Sequence, residues 1–247
     1  LYIASENGHL EVACLLLKNG ADVNQVMNDG TTPLCIASDK GHLEVARLLL
    51  KNGADVNQAK DDGWSALCIA SQNGHLEVVR ILVSNGADVN QAKKDGMSPL
   101  FIASARGHVE VARLLLSNGA DVNQVPNHGA SPLHFASQEG NVEIVKLLLA
   151  NGAKSKKKLN ANGDTPLCIA RHTQKREIIA LLESHPPVMR SLRRRRCAVC
   201  DKRVELRHPA FLVCARCHGP RYCGTECQRA SWVGGHRDEC RPRGSVA

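Results

Sequence analysis

The sequence predicts a mainly α-helical protein in which a solenoid of stacked helix-turn-helix-loop units is followed by a small cysteine-rich domain. Three observations support this fold class: a period of 33 residues through about three quarters of the chain, an aromatic content of 3%, and the crowding of seven of the 11 cysteines between residues 197 and 240. Because aromatic side chains are so few, the core must be built from Leu, Ile, Val and Ala. Such a core suits a small repeated unit and disfavours a large aromatic-lined substrate cavity.

The repeat units can be aligned directly in the sequence. The complete units, each 33 residues long, are 31–63, 64–96 and 97–129. Residues 1–30 are the remainder of a preceding unit, 130–163 is a unit lengthened by one residue, and 164–185 is a shorter last unit whose polar composition is typical of a terminal cap. Since the chain starts at Leu1 within a repeat, we expect part of the protein to precede it.

Each unit carries signals for two short helices and an exposed loop. Thr32 can cap the first helix with Pro33 at its first position, and Gly41 can end it. Gly53 follows the second helix, where a left-handed cap is expected, and the polar residues after it predict a hairpin-like loop. The apolar face of the second helix consists of Leu43, Val45, Ala46, Leu48, Leu49 and Leu50.

The units open on TPLC, SALC, SPLF or SPLH and continue with GHLEVARLLLKNGADVN and close variants. They resemble the ankyrin repeat, which implies that neighbouring units stack and that their first helices and loops line one concave protein-binding surface. The histidine of the family's TPLH-like opening is present as His134. The other units have Cys35, Cys68, Cys168 or Phe101 at that position.

The units differ from one another mainly at 31, 35, 39–40 and 59–61 and at the equivalent positions of the other repeats. Variation on an invariant framework is expected where a partner is recognised, and drift of solvent-exposed positions explains it equally well. Both interpretations stay open at this stage.

Histidines and cysteines recur in the repeats without forming a metal or catalytic motif. The histidines, each after a glycine, are His9, His42, His75 and His108, and the cysteines are Cys14, Cys35, Cys68 and Cys168. Sites about 10 Å apart along a stack cannot converge on one ion. We therefore expect the histidines to support the turn between the helices, and the cysteines to be small buried apolar residues.

Charge and proline mark the domain boundaries. Residues 186–247 contain 14 Lys or Arg against five Asp or Glu, whereas 1–185 contain 18 against 19. We predict ankyrin-like repeats over 1–185, a Pro/Arg-rich linker over 186–196, a zinc finger over 197–240 and a tail over 241–247. The linker carries a basic patch formed by Arg193, Arg194, Arg195 and Arg196, and a second basic run, KSKKK, lies at 154–158. Solvated charge, a nuclear-import signal and nucleic-acid contact remain open interpretations of these runs.

The cysteine-rich segment has metal-ligand spacing throughout. Its pairs are C-x2-C (Cys197, Cys200), C-x2-C (Cys214, Cys217), C-x3-C (Cys223, Cys227) and H-x3-C (His236, Cys240). Eight thiolate and imidazole ligands fill two tetrahedral zinc sites, and sites closed by four protein ligands are structural because no position is left for water or substrate. A segment this short and poor in apolar residues should depend on the metal for folding.

These pairs, with RYCGTECQRASW ahead of His236, resemble the MYND finger over residues 197–240. The family's interleaved topology implies one zinc on Cys197, Cys200, Cys223 and Cys227, and a second on Cys214, Cys217, His236 and Cys240. It also implies a surface for proline-containing peptides, to which Gln228 and Trp232 contribute; extended proline-rich ligands lose little entropy on an aromatic platform. Trp232 packing the short helix after Cys227 is a compatible alternative.

Two other motifs fit less well. Cys214-Ala-Arg-Cys217-His218 matches the C-x-x-C-H haem-attachment pattern, but it lies among other ligand pairs and no export signal is present. A RING-type finger also interleaves two zincs, yet its third pair mixes Cys and His and its last pair is C-x2-C.

Taken together, these features predict a non-enzymatic adaptor that binds one protein on the repeats and a proline-containing partner on the finger. An ankyrin array joined to a MYND finger is a known combination. The alternatives are an enzyme-linked or ubiquitin-transfer role supplied by a missing N-terminal domain, and nucleic-acid contact through the arginine-rich tail. The sequence has no stretch of about 18 apolar residues, so it predicts no membrane span. We expect a monomer in the cytoplasm, the nucleus or both, with protein rather than nucleic-acid partners.

Overall fold

The computed structural model describes residues 1–155 and 164–184, together with the backbone of two short strands farther along the chain. The chain forms two compact units, Leu1–Pro187 and Val188–Ala247, and the division falls within the expected linker. The exact domain bounds given above remain predictions. No helix among residues 1–155 and 164–184 is long and apolar enough to cross a membrane.

The compact unit Leu1–Pro187 contains, in its described residues, 12 helices arranged in pairs. The first helices of the pairs are α1 (Tyr2–Glu6), α3 (Pro33–Lys40), α5 (Ala66–Asn73), α7 (Pro99–Arg106), α9 (Pro132–Glu139) and α11 (Pro166–His172). The second helices are α2 (Leu10–Lys18), α4 (Leu43–Lys51), α6 (Leu76–Ser84), α8 (Val109–Ser117), α10 (Val142–Ala150) and α12 (Arg176–Ser184). First helices pack on first helices and second on second, so the predicted solenoid is confirmed.

The starts of the first helices follow the predicted period. They lie 33 residues apart from Pro33 to Pro132, and α11 starts 34 residues after α9, which confirms the extra residue in the fifth unit. The caps are also as predicted. The hydroxyl of Thr32 accepts a hydrogen bond from the backbone N–H of Cys35 at 3.0 Å, and Gly41 ends α3 in the left-handed conformation, with φ of 75°.

The core runs along the stack as columns of equivalent residues from successive repeats. The most deeply buried columns contain Leu34, Leu67, Leu100 and Leu133 from the first helices and Leu49, Leu82, Leu115 and Leu148 from the second. Each such leucine contributes about 1.5–3 kcal/mol by leaving water. A single unit has too few of these side chains to fold alone, which is why the units stabilise one another.

A histidine and a glycine form the joint between neighbouring first helices. Nε2 of His42 lies 3.0 Å from the carbonyl oxygen of Glu6, one repeat earlier, and His75 and His108 make the same contact with Asp39 and Gln72. The ring of His42 packs so closely on Gly8 that a Cβ there would lie 2.7 Å from it. The expected structural role of these three histidines is confirmed.

Asparagines tie the loops of neighbouring repeats together. Oδ1 of Asn57 accepts a hydrogen bond from the backbone N–H of Asp88 at 2.8 Å, and its Nδ2 donates to the carbonyl of Gly86 at 3.3 Å. The same pair of bonds recurs at Asn24, Asn90 and Asn123. We call this series the asparagine ladder, and it gives every joint between the first five units the same polar connection.

The first repeat, residues 1–30, exposes an apolar face that the later repeats bury. Val12 is 49% exposed, whereas Val45, at the same place one repeat later, is 2% exposed. Ile3 is 71% exposed and its equivalent Ile36 is 9% exposed. Leu10, Leu15, Val26 and Met27 are exposed as well. In the later units the preceding repeat covers these positions.

The end units also correct one prediction. Cys35 and Cys68 are buried as expected, but Cys168, at the same position in the last unit, is exposed. Cys14 is half-buried, and it lies in a second helix at the position where the next unit has the exposed Arg47. The thiols of Cys35 and Cys68 lie 3.9 Å and 3.5 Å from the carbonyls of Gln58 and Gln91 in the loops that follow, whereas the described residues contain no such loop after the last unit. Burial at the position shared by Cys35, Cys68 and Cys168 therefore depends on stacking as well as on residue type.

Candidate functional site

The loops between repeats form short hairpins beside the first helices. In the hairpin before α5, the backbone N–H of Lys60 donates to the carbonyl of Trp64 at 2.9 Å, and Ala59 and Ser65 form a β-bridge. The N–H of Asp61 donates to the carbonyl of Asp29, which links each hairpin to the one before it. We call the surface made by the first helices and these hairpins the hairpin face.

A cleft of about 370 Å³ opens on the hairpin face across the first three units. It is lined by Tyr2, Asp29, Thr31, Cys35, Ile36, Asp39, Lys60, Asp62, Trp64, Ile69 and Gln72. Most of these residues occupy the positions, or the equivalents of the positions, at which the repeats differ. The cleft therefore brings the sequence variation of three units to one place.

Most of the charge in the cleft is negative. The carboxylate of Asp29 pairs with Nζ of Lys60 at 3.1 Å, which leaves Asp39 and Asp62 as the other charged lining residues. Hydrogen bonds from Thr31 and Lys60 hold the pKa of Asp29 at about 2. Burial, followed by the negative charges of Glu6 and Asp29, raises the pKa of Tyr2. The shift of Tyr2 agrees with a site that disfavours further negative charge, whereas the low pKa of Asp29 reflects the donors that stabilise its own carboxylate.

The aromatic residues of the repeats also lie on this face. Nζ of Lys93 lies 4.2 Å from the centroid of the Trp64 ring and 2.9 Å from the carboxylate of Asp95. In the next two units, the rings of Phe101 and Phe135 meet edge to face with centroids 5.0 Å apart. His128 completes this aromatic group, with its ring centroid 5.9 Å from Phe101 and 5.8 Å from Phe135.

The opening motif of each repeat keeps its hydrogen bonds despite its variation. Nδ1 of His134 accepts from the backbone N–H of Ser131 at 3.0 Å and lies 2.7 Å from the Ser131 hydroxyl. In the units that lack this histidine, the Thr or Ser still accepts from the backbone N–H three residues on, as Ser65 does from Cys68 and Ser98 from Phe101. The substitutions at this position therefore leave the helix start intact.

The repeat cysteines are poor ligands and nucleophiles where they are buried. Burial raises the pKa of the Cys35 thiol, and it raises the pKa of Cys68 to about 11. A protonated thiol neither attacks nor coordinates readily. Over residues 1–155 and 164–184, no group of three or more His, Cys, Asp or Glu side chains is placed to hold a metal ion.

The predicted zinc ligands, peptide-binding residues and basic linker patch all lie outside the residues whose side chains the structure describes. The described backbone there is an antiparallel pair, β1 (Leu212–Val213) with β2 (Arg221–Tyr222), in which Leu212 pairs with Tyr222. In sequence, β1 ends directly before Cys214 and β2 directly before Cys223. Seven thiols and one imidazole are a donor set that suits zinc, so the composition of the segment fits the metal.

Comparison with known protein families finds both predicted modules. The model for ankyrin repeats, which spans three copies, matches residues 1–93, 58–126 and 86–158. The model for the MYND finger matches residues 197–240, the bounds predicted from ligand spacing. Both are in general non-catalytic modules for protein interaction, and the MYND finger binds zinc.

One curated relative was found by sequence similarity. "Ubiquitin carboxyl-terminal hydrolase 17" of Arabidopsis thaliana is 41% identical over 46 residues. The aligned segment is 19% of this chain and 6% of that protein. The chain therefore spans a small fraction of the length of the curated relative that it matches.

Sequence reasoning found the variable positions but missed three of the residues that complete the cleft. Tyr2 and Asp29 come from the first repeat and Asp62 from the second, and they converge on one cleft only when those repeats are stacked. The signal that would have found them is a comparison of columns one period apart, since Asp29 and Asp62 occupy the same place in successive hairpins.

Proposed function

Because the chain belongs to the ankyrin-repeat family and carries a MYND finger at residues 197–240, we propose that it is an adaptor. In this role the hairpin face of the repeats binds one protein and the finger binds a proline-containing segment of another. The adaptor acts as a monomer in the cytoplasm, the nucleus or both. It serves signalling or transcriptional regulation by holding two proteins together.

The placement of the variable residues is what most directly supports binding on the repeats. The nearly invariant residues form the joints and the core, as His42, Asn57 and Leu49 illustrate. The varying residues, such as Asp39 and Trp64, line the cleft on the hairpin face. A framework that holds its surface residues in fixed positions reduces the entropy lost when a partner binds.

In the finger we propose two structural zinc ions. One is held by Cys197, Cys200, Cys223 and Cys227, and the other by Cys214, Cys217, His236 and Cys240. Bound zinc would supply crosslinks between chain segments that have too little apolar surface to fold without it. Gln228 and Trp232 would then form the peptide surface, with the indole as a platform for proline rings.

The finger half of the proposal is tested with the full chain and labelled proline-rich peptides. We expect fluorescence anisotropy to show binding that Trp232→Ala weakens by about 10-fold or more, since aromatic anchors contribute on the order of 2 kcal/mol at interfaces. Trp64→Ala, which removes the tryptophan of the repeats, is the matched control and should leave the affinity unchanged. If proline-rich peptides fail to bind the zinc-loaded chain, or bind the Trp232→Ala variant equally, the assignment of the finger is wrong.

The repeat half is tested by capture of partners from lysate. We expect a protein that is retained by the intact chain to be lost from a Trp64→Ala/Phe135→Ala variant, because both side chains contribute to the hairpin face. The matched control is Glu77→Gln/Glu110→Gln, which alters exposed carboxylates on α6 and α8. Retention of every partner by the hairpin-face variant would contradict binding on that face.

The similarity to a ubiquitin carboxyl-terminal hydrolase over 46 residues favours one second candidate. In it, the chain is the interaction part of a larger enzyme that acts on ubiquitin. A hydrolysis assay on a ubiquitin conjugate with this chain alone should give no activity, whereas the protein purified from its own cells would be active. An arginine-patch contact with nucleic acid is the remaining alternative, and affinity insensitive to salt would exclude it.

A further inference from the structure

The cleft on the hairpin face has apolar and acidic parts close together. Ile36 and Ile69 lie in its wall, each 9% exposed, and Tyr2 and Trp64 are half-buried there. These four side chains give the cleft an apolar wall against which the methylene stem of a long side chain can lie. A volume of about 370 Å³ accommodates such a side chain together with the backbone that carries it.

The carboxylates decide which kind of side chain fits. Asp29 is already paired with Lys60 at 3.1 Å. The carboxylate of Asp62 accepts a hydrogen bond from the backbone N–H of Trp64 at 3.2 Å, and within residues 1–155 and 164–184 no Lys or Arg pairs with it. Among residues 1–155 and 164–184, the one Lys or Arg that pairs with Asp39 is its chain neighbour Lys40, in an exposed contact of 3.0 Å that solvent screens, and Asn73 donates a neutral hydrogen bond to the same carboxylate at 3.0 Å. A cation entering the cleft would thus meet two carboxylates that lack a strong internal partner.

The equivalent places along the array lack this combination. Where the first helix of the repeat 31–63 has Asp39, the following repeats have Gln72, Ala105 and Gln138. Where the hairpin has Trp64, the next units have Met97 and Ala130. An acidic residue on the helix and an indole on the neighbouring hairpin therefore coincide at one place among the repeats 31–63, 64–96 and 97–129.

We propose that this cleft receives an arginine side chain from a basic segment of the partner protein, a proposal that rests on the repeats being a protein-binding array. The guanidinium pairs with Asp39 and Asp62, and the aliphatic stem lies against Ile36, Ile69 and Trp64. Arginine suits the site better than lysine, because its planar group makes paired hydrogen bonds to carboxylates, stacks on aromatic rings and is more weakly hydrated.

A pair of peptides with identical shape and different charge tests the proposal directly. One is a short labelled Ser/Gly peptide with two arginines, and the other carries citrulline at both positions. We expect the full chain to bind the arginine peptide in low salt and to bind the citrulline peptide at least about 10-fold more weakly. The difference in affinity should disappear as salt is added. A lysine peptide should fall between the two.

The matching variant is Asp39→Asn/Asp62→Asn. Asparagine keeps an oxygen that can accept the hydrogen bonds that Asn73 and Trp64 donate to these aspartates, at 3.0 Å and 3.2 Å, so the fold should survive and only the charge is lost. We expect about a 10-fold loss of arginine-peptide affinity. The control, Glu77→Gln/Glu110→Gln, removes the same charge from α6 and α8 and should leave affinity unchanged, with equal unfolding midpoints verifying that all variants fold.

The outcomes separate this inference from the function on which it rests. Equal binding of the arginine and citrulline peptides overturns the arginine site. So does an equal loss of arginine-peptide affinity in Asp39→Asn/Asp62→Asn and in the control Glu77→Gln/Glu110→Gln. If captured partners are then lost from Trp64→Ala/Phe135→Ala but retained by Asp39→Asn/Asp62→Asn, the array binds proteins and only the arginine site is wrong. Loss of captured partners from both Trp64→Ala/Phe135→Ala and Asp39→Asn/Asp62→Asn supports the arginine site as part of the partner surface.

Discussion

Nε2 of His75 lies 3.0 Å from the carbonyl oxygen of Asp39, a residue one repeat earlier in the chain. The histidine ring packs on Gly41, whose φ of 75° is left-handed and whose absent side chain leaves room for the ring. The bond from His75 also fixes the backbone of Asp39, which lines the cleft. A framework contact between repeats thus positions a residue of the proposed binding surface.

We predict that Gly41→Ala destabilises the array more than Gly53→Ala does. Both glycines have positive φ, of 75° and 85°. A Cβ at Gly41 would lie 2.8 Å from the His75 ring, whereas at Gly53 nothing lies within 4 Å. The second substitution should cost about 1 kcal/mol for the left-handed backbone, and the first about 2–3 kcal/mol because the ring must also move. Urea unfolding measures both, and equal losses would show that the packing on His75 contributes nothing.

Replacing a serine in one buried column should stabilise the protein, in contrast to most substitutions in a core. The hydroxyls of Ser38, Ser71 and Ser104 are buried without a hydrogen-bond partner in the described part of the chain. Removing such a group should stabilise the protein, and we expect Ser71→Ala to raise the unfolding free energy by about 1 kcal/mol.

Ser65→Ala is the control for that experiment. Ser65 is equally buried, but its hydroxyl accepts the backbone N–H of Cys68 at the start of α5. Its removal should lower the unfolding free energy by about 1 kcal/mol. A loss of stability in Ser71→Ala would mean that its hydroxyl has a partner, such as a buried water.

Acid should weaken the contact between the first two hairpins. The folded-state pKa of Asp29 is about 2, below its ordinary value of about 3.9. The stabilisation from its hydrogen bonds is therefore complete above roughly pH 4 and is lost as the pH falls towards 2. NMR titration of the Asp29 carboxyl should show the low pKa, and in Thr31→Val, which removes the hydroxyl of the main hydrogen-bond donor, the value should rise. An unchanged pKa in that variant would contradict the assigned cause.

Metal removal should unfold the finger and leave the repeats folded. We expect metal analysis of the full chain to give two zinc ions, and a chelator to abolish binding of proline-rich peptides while the helical signal of the repeats persists. Cys223→Ser should lower the stoichiometry. A zinc content of one or none in folded protein would overturn the ligand assignment.

Much of the fold was predictable because the period, the caps and the apolar faces repeat in the sequence. Thr32, Gly41 and Gly53 have the roles predicted from their residue types. The exposure of Cys168 was not predictable from its neighbours in sequence, since it depends on which repeat covers it. The cleft was predicted only in part, because Asp62 meets Tyr2 and Asp29 only through the stacking of the second repeat on the first. The zinc ligands remain predictions from spacing.

The asparagine ladder also has a mechanical consequence. The units 31–63, 64–96 and 97–129 are each held on both sides by the same pair of bonds, as Asn57 and Asn90 show, whereas a unit at the end of such a ladder is held on one side. Under tension applied along the stack, rupture should therefore begin at an end and advance inward. Each event would release one period of 33 residues, on the order of 110 Å of extended chain. A protein held on the middle units would therefore stay bound while the outer units give way.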